Sequence, residues 1–193
     1  LKPPHRFDAN GWCVRARHVH SPNQDERPDG TPLELIVVHS ITLPPGEFGG
    51  DSILRLFTNT LDAAEHPFFE EIKDLRVSAH FLVRRDGELI QFVAVPRRAW
   101  HAGVSSFEGR PRCNDYSVGI EMEGTDDVPF TDVQYQVLVD LCRHLTEQFS
   151  LVAIAAHSEI APGRKTDPGP MFDWLRITSE IPQLRRMKDL PAA

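Results

Sequence analysis

Two histidines, His39 and His157, each close an apolar run, Leu35-Ile36-Val37-Val38 and Leu151 to Ala156, at the point where a loop takes over. Strand ends in α/β sheets are where loops converge over a rigid base, so these positions suit a reactive site. The loop after His157 carries Lys165, Thr166 and Asp167. A His, His, Asp set would leave a fourth tetrahedral position for water, the pattern of catalytic rather than structural zinc. With a single carboxylate the ion stays net positive and can acidify water and polarise a carbonyl. On residue type alone His80 and His101 are equally good ligands, and the separation of His39 from His157 is too long to count as a motif. The ligand set is therefore open at this level.

Such chemistry also needs a proton shuttle. Glu121 and Glu123 share one face of an alternating segment with Ser117 and Gly119, whose small side chains predict open space above the strand for a substrate. Residue types do not separate the two carboxylates, and the bland reading makes both of them exposed groups on a half-solvated sheet. Lys165, two residues before Asp167, would stabilise an oxyanion or else be an ordinary solvated loop lysine.

The elements that must position these groups are legible in outline. Leu35 to Val38 reads as a strand buried on both faces, followed by a Pro- and Gly-rich loop through Gly50. Ile53, Leu56, Phe57 and Thr60 predict a short helix near 52–60. Residues 78–95 read as a hairpin turning at Asp86-Gly87, a favoured type I′ pair. Val118, Ile120 and Met122 predict the apolar face of a strand. Thr131 and Gln134 form a capping box for a helix striped by Val137, Leu138, Leu141, Leu145 and Phe149. A final amphipathic helix is expected from Phe172. Residues 1–32, polar and punctuated by prolines, predict an extended segment packed on a single α/β domain spanning 33–193. That domain would have a central mixed sheet flanked by helices.

Composition narrows the partners. The 193 residues suffice for one well-cored domain, and a formal charge of -7 argues against nucleic acid. No apolar run approaches the ~18 residues that span a membrane, and LKPPHRFDAN at the start has no apolar signal core. Cys13, Cys113 and Cys142 lack CxxC spacing and predict reduced thiols in a cytoplasmic protein, leaving histidines and carboxylates to bind any metal.

The strings LPPGEFGG (43–50), RVSAHFL (76–82), RAWHAGVS (98–105), GIEMEGTD (119–126) and IAPGRKTDPGP (160–170) add a more specific signal. Together they closely resemble the cytoplasmic N-acetylmuramoyl-L-alanine amidases, of the amidase_2 or peptidoglycan-recognition-like type, from roughly Gly11 to Leu175. The resemblance implies Zn2+ held by His39, His157 and Asp167, with Glu121 rather than Glu123 as the base and Lys165 at the oxyanion. It places Arg76 and Arg112 on the acidic stem peptide and Trp100 along the cleft. The implied substrate is a small molecule, 1,6-anhydro-N-acetylmuramyl peptide, cut between the lactyl carbonyl and L-alanine; a monomer is expected, and charge and hydropathy predict no nucleic-acid or membrane partner. Ser40 stands where Asn is expected after the first histidine, and Ser158-Glu159 where Cys-Asp is common after the second.

Three rival readings are weaker on residues. A peptidoglycan binder that does not cut would be expected to lack the Asp at 167, which is present. An exported amidase acting on intact wall would need an export signal. An unrelated zinc peptidase would be expected to carry HExxH, which is absent from the sequence.

Overall fold

The apolar run at Leu35 lies at the centre of the fold. In the computed structural model, which describes residues 6–186, Leu35–Ile41 is a strand whose first four residues have no solvent exposure. It is flanked on both sides by parallel partners, Ser117–Glu123 and Ala153–Ala156. The full seven-stranded sheet runs, in space, Arg17–His18, Leu89–Gln91, Phe81–Val83, Ser117–Glu123, Leu35–Ile41, Ala153–Ala156, Arg185–Arg186. Every neighbouring pair is parallel except Phe81–Val83 with Leu89–Gln91, so the sheet is mixed, in a single α/β domain as expected. The outer ends of the two segments expected from sequence, 1–5 and 187–193, lie outside the described residues.

Parallel strands in the middle of a sheet need cover on both faces. On one face Ile36, Val38, Val118, Ile120 and Met122 cluster with Leu138, Leu141 and Leu145 of the helix Asp132–Phe149. Burying each of those leucines contributes roughly 1.5–3 kcal/mol. The helix starts as expected: the Gln134 backbone N–H donates to Thr131 Oγ1 at 3.3 Å, and the Thr131 N–H donates to Gln134 Oε1 at 3.0 Å. On the other face Leu35, Val37, Ala153 and Ala155 are covered by the segment from Ala102 to Tyr116. Further along the same face come His39, Gly119, Glu121 and Glu123. All seven residues of Ser117–Glu123 are buried, so its alternation separates two covered faces rather than a dry one from a wet one. The reading of Glu121 and Glu123 as exposed carboxylates is overturned.

Three local expectations need correction. The hairpin turn is not type I′: Gly87 donates to the Arg84 carbonyl at 2.9 Å, and Gly87 (φ 86°) but not Asp86 takes the positive φ that a type I′ turn requires of both central residues. The helix near 52–60 stops at Phe57. The last helix spans only Leu175–Thr178, because Phe172 is drawn into the core against Phe130 and Tyr135. Sequence reading also missed the helix Pro67–Ile72, which begins with proline at its first turn and is capped by His66 Nδ1 accepting from the Phe68 N–H. At the entry to the chain, Arg17–His18 extends the sheet edge and Gln24–Asp25 pairs with Arg98–Ala99. No helix among the described residues is long and apolar enough to cross a membrane.

Candidate active site

Parallel register assembles most of the site. His39 lies opposite Glu121, and Ala156 lies opposite Val38, so the next residue, His157, emerges beside His39. The loop after His157 folds back until the Ser158 N–H donates to the Asp167 carbonyl at 3.0 Å, which brings the Asp167 side chain to both histidines. Glu159 supports the turn: its Oε2 accepts from the Ala156 N–H at 2.8 Å and its Oε1 from Arg186 at 2.7 Å. The Ser158-Glu159 departure thus brings its own anchor.

His39 Nδ1, His157 Nδ1 and Asp167 Oδ2 form a triangle with edges of 2.9, 3.2 and 3.0 Å. Tetrahedral zinc with bonds near 2.0–2.1 Å would set ligand atoms about 3.3 Å apart, so the triangle is close to one face of that polyhedron. The donor chemistry fits too. His157 Nε2 lies 3.3 Å from the Ala102 carbonyl, which can only accept, so the His157 proton belongs on Nε2 and its Nδ1 presents a lone pair to the Asp167 carboxylate. With that tautomer, two acceptors 3.0 Å apart need a positive charge between them, the place a metal ion would take. Among the described residues this trio is the one grouping of three or more His, Cys, Asp or Glu with metal-binding spacing.

Electrostatics separates the roles. Burial pushes the His39 imidazole down to about 4, against the opposing pull of the Asp167 hydrogen bond. Burial also pushes the Asp167 carboxyl up, but a proton shared with it by His157 or His39 across the triangle, together with their charge, outweighs burial and holds Asp167 below the ordinary carboxylate range; a metal ion would take that proton's place. Glu121 goes the other way: burial, then the neighbouring Asp167 charge, raise it well above the usual value, with Lys165 opposing. Glu121 Oε2 has no hydrogen-bond partner. Glu123, two residues on, accepts from the Gly49 N–H at 2.6 Å, from Arg84 at 3.2 Å and from the Arg85 N–H at 3.0 Å. The tie left by residue types is therefore broken by geometry.

The other histidines are also separated. His80 accepts from the Gly119 N–H through Nδ1 at 3.0 Å and meets the Arg97 carbonyl through Nε2 at 3.0 Å, so neither nitrogen can bind a metal. Burial lowers its pKa to about 3. His101 lies over Gly119, where an added Cβ would come within 2.5 Å of its ring. The open space expected above Ser117 and Gly119 is filled by this imidazole. Sequence reading missed that function of the two small residues, although a glycine two positions before Glu121 was the available signal.

His39, Ser40, His101, Glu121, His157, Lys165 and Asp167 line a cleft of ≈ 320 Å³. Leu43, Leu56, Phe57, Phe68 and Ile72 add apolar wall to the same cleft. Three expected substrate residues stand outside that lining. Trp100 is tied back, its indole N–H donating to Asp25 at 3.1 Å, while its neighbour His101 lines the cleft. Arg76 is exposed on the rim between the lining residues Leu75 and Val77, its guanidinium on the Lys73 and Leu75 carbonyls. Arg112, at φ 63°, is exposed and paired with Asp115 at 3.0 Å.

Residues 29–170 match N-acetylmuramoyl-L-alanine amidases of the Amidase_2 type. The chain belongs to this family. The amidase is 58 % identical over 173 residues to the 1,6-anhydro-N-acetylmuramyl-L-alanine amidase AmpD of Salmonella typhimurium strain SL1344, covering 89 % of this chain and 92 % of that protein. Its identity to the AmpD of Escherichia coli K12 is also 58 %, over 169 residues, 86 % of this chain and 92 % of the relative. The crystal structure of a selenomethionine AmpD derivative superposes with a TM-score of 0.87 at 52 % identity, covering 91 % of this chain and 98 % of that one. Escherichia coli AmiD, solved with anhydro-N-acetylmuramic acid-L-Ala-D-gamma-Glu-L-Lys, is more distant: TM-score 0.55 and 26 % identity, over 90 % of this chain and 65 % of that one.

Proposed function

We propose that this amidase is a monomeric, cytoplasmic zinc enzyme that hydrolyses the amide between the lactyl group of 1,6-anhydro-N-acetylmuramic acid and L-alanine in recycled muropeptides. One observation carries the reading: three ligand atoms converge beside a buried carboxylate oxygen, Glu121 Oε2, that has no partner of its own. The names of the relatives support the choice of sugar, and the AmiD complex supports a peptide-bearing ligand.

His39, His157 and Asp167 would hold the ion. When bound, zinc supplies the Lewis-acid charge that polarises the amide carbonyl and acidifies a water beside it. Glu121 accepts the proton of the attacking water at its carboxylate and delivers it to the departing alanine nitrogen. Burial and the neighbouring Asp167 charge raise its pKa, which makes the carboxylate a stronger proton acceptor than an exposed one. Lys165 sets positive charge beside the developing oxyanion. The apolar wall of Leu43, Leu56, Phe57, Phe68 and Ile72 keeps water from the cleft behind the substrate. Arg76, from the rim, and Arg112 meet stem-peptide carboxylates, which lets a chain of net charge -7 bind an anion through local, forked contacts. Trp100 acts beside the cleft, next to the lining residue His101.

The test is to incubate the protein with anhydro-muramyl tripeptide and with intact sacculi, with and without a chelator, and to weigh the products. Release of free tripeptide from the anhydro substrate, abolished by chelator and restored by zinc, is the expected result. Full activity in a preparation that contains no transition metal would overturn the zinc assignment. Preference for intact sacculi would overturn the substrate assignment.

A further inference from the structure

A histidine can bind a metal through Nδ1 only while its proton sits on Nε2, and the partner of Nε2 decides whether that tautomer dominates. The two histidines of the site have such partners in adjacent residues. His157 Nε2 meets the carbonyl of Ala102 at 3.3 Å, whereas His39 Nε2 meets His101 Nδ1 at 2.9 Å. His101 is not itself placed to bind the ion: its other nitrogen, Nε2, lies 3.1 Å from Ser117 Oγ. The two His101 contacts form a consistent chain, with His39 Nε2–H donating to His101 Nδ1 and His101 Nε2–H donating to the Ser117 hydroxyl oxygen.

The position of His101 is fixed from several sides. The Asn114 side-chain oxygen accepts from the His101 N–H at 3.2 Å and from the Ala102 N–H at 2.8 Å, so one side chain holds the backbone of both supporting residues. Beneath the ring lies Gly119, whose missing Cβ leaves the space the imidazole occupies. His39 and His101 meet edge to face, with ring centroids 5.0 Å apart. A merely space-filling role would not require the acceptor nitrogen to point at His39.

We infer that His101 is a positioning residue: by accepting the His39 Nε2 proton it locks the tautomer and direction of His39 toward the metal, with Ser117 and Gly119 as its socket. The inference rests on the zinc reading above and deepens it. It predicts that His101 sets metal affinity without touching the ion. Asparagine at 101 places an oxygen acceptor close to where Nδ1 now sits, whereas leucine keeps bulk and removes the acceptor.

The experiment measures the zinc dissociation constant by competition with a chromophoric chelator for the parent, His101→Leu and His101→Asn, with thermal melting of each metal-free protein as the folding check. His101→Leu should bind zinc roughly 10–100-fold more weakly, the range for a lost outer-shell partner, and His101→Asn should recover most of that loss. Gly119→Ala, which pushes a methyl group into the ring, should weaken zinc in the same direction. A folded His101→Leu that binds zinc within twofold of the parent overturns the inference. If His101→Leu does not fold, nitrogen NMR of the metal-free parent decides: a proton on His39 Nε2 supports the contact, and a proton on His39 Nδ1 overturns it. A parent that binds no zinc overturns the metal reading itself, an outcome distinct from a parent and His101→Leu that bind equally well.

Discussion

Two parts of one sheet face differ in how well their polar groups are satisfied. Around His80 and Glu123 every buried polar atom that matters has a partner: a backbone amide, a carbonyl or the Arg84 guanidinium. Around Glu121, two residues along the sheet from each, a carboxylate oxygen has none and two acceptors, His157 Nδ1 and Asp167 Oδ2, face each other. Burial is nearly the same in both parts, with Glu121 9 % exposed and Glu123 2 %. Since an unsatisfied buried polar group costs roughly 1–3 kcal/mol, the second part holds its arrangement at the expense of stability. The difference teaches where to look for chemistry: substitutions in the unsatisfied part should change turnover, and those in the satisfied part should change stability.

The largest expected effect is at the ligand triangle. Asp167→Ala should lose both bound zinc and measurable amidase activity, read by metal analysis alongside turnover, while melting at or above the temperature of the metal-free parent. Zinc retained at one per chain would show that the triangle is not the binding site.

Next comes the shuttle. Glu121→Gln keeps shape and volume but cannot take up a proton, so turnover should fall by about 100-fold to 10,000-fold with zinc content unchanged. If the variant loses its zinc instead, Glu121 is a ligand and the set must be redrawn.

Glu123→Gln is the converse. The amide cannot match the charge that Arg84 now faces, so unfolding free energy should drop by about 1–3 kcal/mol in urea titrations, with turnover changed no more than a few-fold. A variant as stable as the parent but catalytically dead would invert the comparison.

A pH series sharpens it further. Folded His80 stays neutral down to about 3, whereas the unfolded imidazole takes up a proton below its ordinary 6.5. Through that window the unfolded chain binds more protons, so stability falls as pH falls, by up to about 1.4 kcal/mol per pH unit from this group. Above 6.5 the contribution is flat. His80→Asn should show a shallower acid slope than the parent in the same urea titrations. Equal slopes would mean that His80 is not held neutral.

The smallest effect is expected at the rim. Arg76→Ala should reduce kcat/KM on the tripeptide substrate by roughly fivefold, since exposed ion pairs contribute up to about 1 kcal/mol. The loss should fade at high salt and vanish on a substrate ending at L-alanine. Equal loss on long and short peptides would remove Arg76 from substrate recognition.

Much of this architecture was legible because it is local or periodic. The run Leu35 to Val38, the alternation from Ser117, and the Thr131–Gln134 capping box each follow from neighbours a few residues away, and each appears in the fold. Local reasoning failed where a distant group decided. Asp86-Gly87 looked like a type I′ pair, yet the turn closes one residue earlier on Arg84. Ser117 and Gly119 looked like open floor, because nothing nearby in sequence says that His101 will lie there.

By itself the sequence determined the α/β class, the buried centre of the sheet and, through residue types in familiar strings, the family. Tertiary structure decided which residues of each type belong to the site. Parallel register set His39 beside Glu121 and His157, and a loop closed by one backbone hydrogen bond added Asp167. The same packing gave His80 and Glu123 full sets of partners and left Glu121 without one. The physical reason is that satisfaction of a buried polar group is a property of its surroundings in space, which no residue type or spacing along the chain encodes.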